Sequence, residues 1–308
     1  MRAEDFLSNE LSPEERHLLE SLPKLQPVAE VDTTHVWIIE WLGDEERRTG
    51  SELHSWLETK RKGWAQLRVC RQRSEVFAAI KDAATFATQR DAKPILHIEA
   101  HGNEDGLEGP DKNGAPEFIA WDEITPYLRE LNLATKCNSI LVCAACKGIA
   151  SMLSAGRGDR IPCVAVIGPD SNVNPTPLLN AMKELYRSWM DGSLDLDTPS
   201  REIEPASLEI ESMAALSYES FMEYVIRATR PGPRAETAER LARLLERMGK
   251  PYHESLSHVK GQVALLPRRM QRAWQTLFMM DLDLRNRERF GFDVKRAIWK
   301  ILEFRGLA

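Results

Sequence analysis

Two short stretches of the chain carry residue types that could break an acyl bond. The run Ile95-Leu96-His97-Ile98-Glu99-Ala100 delivers His101-Gly102, and the run Ile140-Leu141-Val142-Cys143-Ala144-Ala145 delivers Cys146-Lys147-Gly148. A thiol attacks as the thiolate, and an imidazole near neutral pH can assist it and then protonate the leaving amine. Gly102 lets a backbone N–H approach a substrate carbonyl. With the Cys146 N–H it would form an oxyanion hole, where losing one donor costs about 2.7–4 kcal/mol of barrier stabilisation. A lone cysteine in an apolar run is more often an inert core residue, so the weight rests on the pair.

Both stretches read as strand ends, which is where open α/β sheets place their ligand crevice. Short apolar strands are expected at Val36–Trp41, Leu67–Arg71, Ile95–Ala100, Ser139–Ala144 and Cys163–Ile167. Helical patterns fall between and after them, at Gly50–Lys60, Ser74–Gln89, Trp121–Leu131, Ile149–Leu153 and Pro177–Met190. That alternation predicts an α/β fold, a three-layer αβα sandwich around a mostly parallel sheet. If the strands ending in His101 and Cys146 are neighbours, imidazole and thiol share one crevice.

Three regions follow. Residues 1–30 form a helical arm, because Ser12-Pro13-Glu14-Glu15 combines an N-cap serine, proline at the first helical position and glutamate three residues after the cap. Residues 31–229 hold the sandwich, and the strand signals fade after Asp191. Residues 230–308 are a basic helical C-terminal extension, opened by Pro231-Gly232-Pro233 and marked by apolar spacing at Leu241, Leu244, Leu245 and Met248.

The joint pattern resembles the caspase and CHAT families of cysteine peptidases, in which one strand ends in His-Gly and a later one in a nucleophilic cysteine. Ala145-Cys146-Lys147-Gly148 is similar to the caspase Ala-Cys-Arg-Gly signature, and the interval of 45 residues from His101 to Cys146 suits it. The resemblance implies a Cys146–His101 dyad, an oxyanion hole at Gly102 and Cys146, and a caspase-like sandwich. Arg47-Arg48-Thr49-Gly50 resembles the caspase loop that supplies an arginine to the P1 pocket, with Arg48 at the matching position. Glu117-Phe118-Ile119-Ala120-Trp121-Asp122 resembles the CHAT hairpin and its following helix. The likeness covers residues 35–190. It departs after the strand that follows the nucleophile, where Gly168-Pro169-Asp170-Ser171-Asn172 holds no second pocket arginine. Asp170 stands where separase-like members carry acidic residues that favour a basic P1 side chain. A pocket holding Arg48 and Asp170 together could be neutralised by their own ion pair.

Cys143 and Cys146 form a Cys-x-x-Cys pair, but Cys143 falls inside an apolar strand pattern, against a redox role. No second ligand pair completes a zinc site, so neither metal nor cofactor is expected. His97 reads as a buried, satisfied histidine, Glu99 stays unassigned, and His253 and His258 read as surface residues. The aromatics Trp274, Phe278, Phe290, Phe292, Trp299 and Phe304 read as core rather than as a base-stacking platform.

Composition frames these readings. Cys70, Cys137, Cys143, Cys146 and Cys163 are five in number and mostly embedded in apolar runs, against a secreted disulfide framework. Met1-Arg2-Ala3-Glu4-Asp5 lacks the basic flank and apolar run of a signal peptide. No stretch approaches the roughly 18–20 apolar residues of a membrane span. A cytoplasmic protein is expected. The net charge of -6 divides unevenly, since residues 230–308 hold 17 Lys+Arg against 9 Asp+Glu. That excess suits a solvated arginine-rich helical surface, a basic half that docks on the acidic one, or a tail that meets an acidic partner, with nucleic acid the weaker option. The expected function is a cysteine endopeptidase acting on a protein partner. Stand-alone proteins of this resemblance suggest a bacterial defence or cell-death effector that cuts, for example, a pore-forming protein. The rival is a catalytically silent interaction module on the same fold.

Overall fold

The apolar runs fold as their alternation demands, one strand face against one helical layer. The computed structural model describes residues 11–25, 31–154, 160–191, 208–230 and 256–307, excluding the side chains of 152–154 and 256–264. The central sheet is built from β1 (His35–Trp41), β2 (Ala65–Val69), β3 (Pro94–Gly102), β6 (Ile140–Ala144), β7 (Ala165–Pro169) and β8 (Leu208–Ser212). Their order is β2-β1-β3-β6-β7-β8, parallel throughout except for β8, which pairs antiparallel with β7. A hairpin of β4 (Gly106–Pro110) and β5 (Pro116–Ala120) grows from the end of β3.

Period-two geometry sends alternate side chains to opposite faces. Val36, Ile38, Ile95, Ile140, Val142 and Ile167 pack with Leu53 and Leu57 of α2 (Thr49–Lys60) and with Leu178, Met182 and Leu185 of α5 (Pro175–Met190). On the other face, Trp37 meets Phe86 of α3 (Arg73–Arg90), ring centroids 5.5 Å apart, and Phe77 of α3 stacks on Tyr127 of α4 (Trp121–Ala134) at 4.7 Å. The fold is thus an α/β sandwich of three layers, as its alternating pattern predicts.

Three elements depart from expectation. Ile149–Leu153 belongs to a 3-10 turn over Gly148–Ser154, not to an α-helix. The fading of strand signals after Asp191 is overturned by β8, whose Leu208 and Ile210 are buried while Glu209 and Glu211 are half-buried. Its alternation is present but short, and its two carboxylates mask it. Trp299 and Phe304, expected in the core, lie exposed, whereas Trp274, Phe278 and Phe290 are buried.

Two compact units emerge, and they interleave along the chain. One comprises Pro27–Ala214 with Phe278–Phe290, and the other Met1–Gln26, Ala215–Leu277 and Gly291–Ala308. In the second unit α1 (Pro13–Ser21) starts with a complete capping box, in which the Ser12 hydroxyl accepts from the Glu15 N–H and Glu15 accepts from the Ser12 N–H. The same Glu15 carboxylate is buried between Arg230 and Arg305, each at 2.6 Å. Tyr218 of α6 (Met213–Ala228), Trp274 of α7 (Leu256–Leu277) and Phe292 form an aromatic cluster with centroids 4.9–6.4 Å apart. Two further helices are α8 (Arg285–Phe290) in the first unit and α9 (Val294–Phe304) in the second. Pro231-Gly232-Pro233, Leu241, Leu244, Leu245, Met248 and His253 lie outside the described residues, as does the side chain of His258. No helix among the described residues is long and apolar enough to cross a membrane.

Candidate active site

The ladder between β3 and β6 decides where the reactive residues stand. It pairs Ile95 with Ile140, His97 with Val142 and Glu99 with Ala144. The ladder stops there: His101 stands two residues farther along β3, and Cys146 lies two residues past the end of β6, in a turn. Ile95, Ile140, Val142 and Ala144 belong to the face covered by α2 and α5, and the parity of β3 carries His101 toward that side, while the Cys146 thiol reaches the carbonyl of Val173, which packs against the same face. Cys143 has the opposite parity and is fully buried, and burial, with the nearby Glu99 charge, pushes its thiol up to about 12. Cys146 is half-buried and His101 exposed. Cys70, Cys137 and Cys163 are buried free thiols, each likewise pushed up to about 12 by burial.

Small residues allow the two strand ends to meet. A Cβ on Gly102 would lie 2.8 Å from the Cys146 carbonyl oxygen and 3.0 Å from the Ala145 Cβ, so only glycine fits there without a shift. Beyond Cys146 the chain turns sharply. Lys147 sits at φ +58°, a left-handed conformation that costs a non-glycine residue about 1–2 kcal/mol. Its N–H donates to the Ser171 carbonyl at 3.2 Å, and the Gly148 N–H closes on the Ala145 carbonyl at 3.0 Å. The Cys146 N–H has no hydrogen-bond partner among the described residues, which leaves it available as an oxyanion donor.

The hydrogen bonds of the two reactive groups run elsewhere. His101 Nε2 lies 2.6 Å from Glu46 Oε1, and Cys146 Sγ points toward the Val173 carbonyl at 3.8 Å. No hydrogen bond joins thiol to imidazole. Glu46 escaped the sequence reading because it closes an unremarkable acidic run, Gly43-Asp44-Glu45-Glu46. The available signal was its place, in the loop after the strand next to the one that ends in His101.

Arg48 and Asp170 stand apart in their bonding. The Arg48 guanidinium donates to the Leu42 carbonyl at 2.9 Å, to Asp44 at 2.9 Å and to Glu40 at 3.4 Å, which ties it to the end of β1. An ion pair with Asp170 does not form, because Asp44 on the same loop and Glu40 on β1 hold the cation. Asp170 is exposed at the end of β7, next to the Ser171 that contacts the Cys146 turn.

Beneath the site lies a polar network. His97 is fully buried, with Nδ1 2.9 Å from the Tyr186 hydroxyl and Nε2 3.0 Å from Glu99. Glu99, unassigned from sequence, also accepts from the Thr49 hydroxyl at 2.8 Å. Burial and the Glu99 charge push the Tyr186 phenol well up, which keeps its proton on for donation to His97 Nδ1. His97 is thus a structural residue, its polar atoms satisfied. Among the described residues, no group of three or more His, Cys, Asp or Glu side chains is placed to hold a metal ion. No family model matches the chain, and no curated protein is similar enough in sequence to stand as a relative.

Proposed function

We propose that this chain is a cysteine endopeptidase that cuts a protein partner, with Cys146 as nucleophile and His101 as proton carrier. The observation that supports it most is that β3, which carries His101, and β6, which ends two residues before Cys146, are adjacent parallel strands whose ends meet where Gly102 packs against the Cys146 carbonyl, at the carboxyl-end edge where such sheets bind ligands. In this reading Sγ adds to the scissile carbonyl carbon as its proton passes to the imidazole. The Gly102 and Cys146 N–H groups take the developing oxyanion. The C–N bond then breaks, the leaving amine takes the proton from the imidazolium, and water hydrolyses the thioester by the reverse sequence. Asp170 beside the Cys146 turn, together with an Arg48 already engaged by Asp44 and Glu40, favours a basic or neutral P1 side chain. A cytoplasmic effector role in defence or cell death, with a protein such as a pore former as substrate, is the context that the family resemblance suggests. So is a regulatory partner at the helical C-terminal region.

One observation favours the rival reading, a catalytically silent interaction module: thiol and imidazole have separate hydrogen-bond partners. A peptidyl acyloxymethyl ketone library separates the two readings. The peptidase becomes labelled at Cys146 by a subset of peptides, and His101→Ala reduces that labelling about 10²–10⁴-fold. Peptide-independent labelling that is unchanged in His101→Ala would support the silent module.

A further inference from the structure

The loop between β1 and α2 contributes a carboxylate that the two-residue reading does not use. Glu46 Oε1 lies 2.6 Å from His101 Nε2, and its other oxygen accepts the Gly43 N–H at 2.5 Å. The Glu46 N–H returns to the Gly43 carbonyl at 3.1 Å, so backbone and side chain together close a turn over residues 43–46. A Cβ on residue 43 would come within 3.1 Å of Glu46 Oε2 and press on that carboxylate. Downstream, Arg48 fastens the loop to the Leu42 carbonyl, Asp44 and Glu40. The carboxylate is therefore placed by its own loop, whichever way the imidazole turns.

We infer that Glu46 is a positioning residue for His101: by accepting the Nε2–H it fixes the ring and its tautomer, leaving Nδ1 to take the Cys146 proton. The inference rests on the peptidase reading and extends it from two residues to three. Nδ1 has no hydrogen-bond partner among the described residues, as a nitrogen that receives a proton must. Burial alone would raise the Glu46 carboxyl, but the His101 bond, the Gly43 N–H and Arg48 outweigh it and hold it below the usual carboxylate range. It is thus ionised wherever a thiol peptidase works. The other charges around the imidazole have partners of their own. Glu108, opposite His101 on β4, accepts from Asn103 at 2.8 Å, and Lys147 pairs with Glu104 at 3.6 Å. Glu46 is the carboxylate committed to the ring.

The test uses the full chain and three measurements: kcat and KM on the best library peptide, the alkylation rate of Cys146 by neutral iodoacetamide, and Tm. Glu46→Ala and Glu46→Gln are compared with Glu45→Ala, an exposed neighbour with no place in the site. The expected result is a kcat lowered about 10- to 100-fold in Glu46→Ala, part of the roughly 10²–10⁴-fold that acid–base catalysis supplies. KM stays within about twofold, alkylation slows in parallel, Tm holds, and Glu45→Ala behaves as wild type. Glu46→Gln, which keeps an acceptor but loses the charge, should fall between Glu46→Ala and wild type. An unchanged kcat in Glu46→Ala, with His101→Ala inactive, overturns this inference alone. A raised kcat also overturns it, since Glu46 would then be drawing the imidazole away from the thiol. Equal alkylation in wild type, His101→Ala and Glu46→Ala, without peptide turnover, overturns both this inference and the peptidase reading.

Discussion

Gly102→Ala is a stringent test of the geometry because it adds one methyl group where the ends of β3 and β6 touch. The new Cβ would stand 2.8 Å from the Cys146 carbonyl oxygen and 3.0 Å from the Ala145 Cβ, against the 3.4 Å at which ordinary contact begins. The shortfall is about 0.6 Å, and its nearest opposing atom is backbone, so no rotamer change relieves it. Either the end of β3 or the Cys146 turn must move. Overpacking of this kind costs about 1–3 kcal/mol of stability. For catalysis, a misplacement of about 1 Å can cost about 10²-fold, so a shift of about 0.6 Å should lower kcat on the order of 10-fold, with little change in KM. Steady-state kinetics on the best library peptide, with Tm measured alongside, reads both effects. Gly63→Ala is the control. Gly63 lies in the turn before β2 at φ +76°, where an alanine is strained, and the variant should lose stability while keeping kcat. A Gly102→Ala variant with reduced Tm and unchanged kcat would refute the claim that this contact sets the Cys146 turn.

The remaining predictions concern reactivity, acid stability and specificity. Alkylation of the native protein at neutral pH should modify Cys146 and spare Cys70, Cys137, Cys143 and Cys163, whose thiols burial pushes up to about 12; peptide mapping checks this, and Cys143→Ala should retain activity that Cys146→Ala lacks. In the second unit the Arg230 hydrogen bond lowers the Glu15 carboxyl against the opposing effect of burial, and the Ser12 N–H and Arg305 help bring it from 4.5 to about 2. A depressed carboxylate stabilises above its unfolded value and loses that contribution as pH falls from about 4.5 toward 2. Unfolding followed by tryptophan fluorescence should therefore show an acid loss of up to about 3 kcal/mol that Glu15→Gln largely abolishes. Positional scanning should find cleavage after basic or neutral residues, altered more by Asp170→Ala than by Arg48→Ala; cleavage after Asp that Arg48→Ala abolishes would restore the caspase rule.

How much was legible follows from what each element depends on. The five central strands lie within two residues of their expected bounds because four of them are mainly apolar runs and β2 (Ala65–Val69) alternates apolar with polar residues, and the adjacency of the strands that precede His101 and Cys146 follows from their order along the chain. Glu46 was not readable, since its role comes from a turn in which three adjacent acidic residues look alike until the backbone selects one. The family resemblance implies a substrate-pocket role for Arg48, yet its guanidinium is held by Asp44 and Glu40, local partners at separations of four and eight residues. The second unit was obscured by distance along the chain. Glu15 meets Arg230 and Arg305 across 215 and 290 residues, which no periodicity reports.

The support for the site comes from beneath it, where two buried carboxylates lie side by side on neighbouring strands. Glu40 on β1 and Glu99 on β3 are register partners, both nearly inaccessible to water. Burying such charges is costly unless every oxygen is hydrogen-bonded. Glu40 accepts the Ser51 N–H at 2.7 Å and its hydroxyl at 3.0 Å, and Glu99 accepts from Thr49 and His97. Thr49 and Ser51 form the first turn of α2, where the helix dipole favours negative charge. The sheet therefore grips the start of α2 through its own acids, and Gly50 between them leaves room, since a Cβ there would approach Glu40 to 3.0 Å and Glu99 to 3.2 Å. The loop that carries Glu46 runs from the end of β1 into this gripped turn, and Arg48 fastens it once more to Glu40. A seven-residue loop held at both ends can present one carboxylate at a fixed height above His101. The polar core thus transmits the register of β1 and β3 to the hydrogen bond that orients the imidazole.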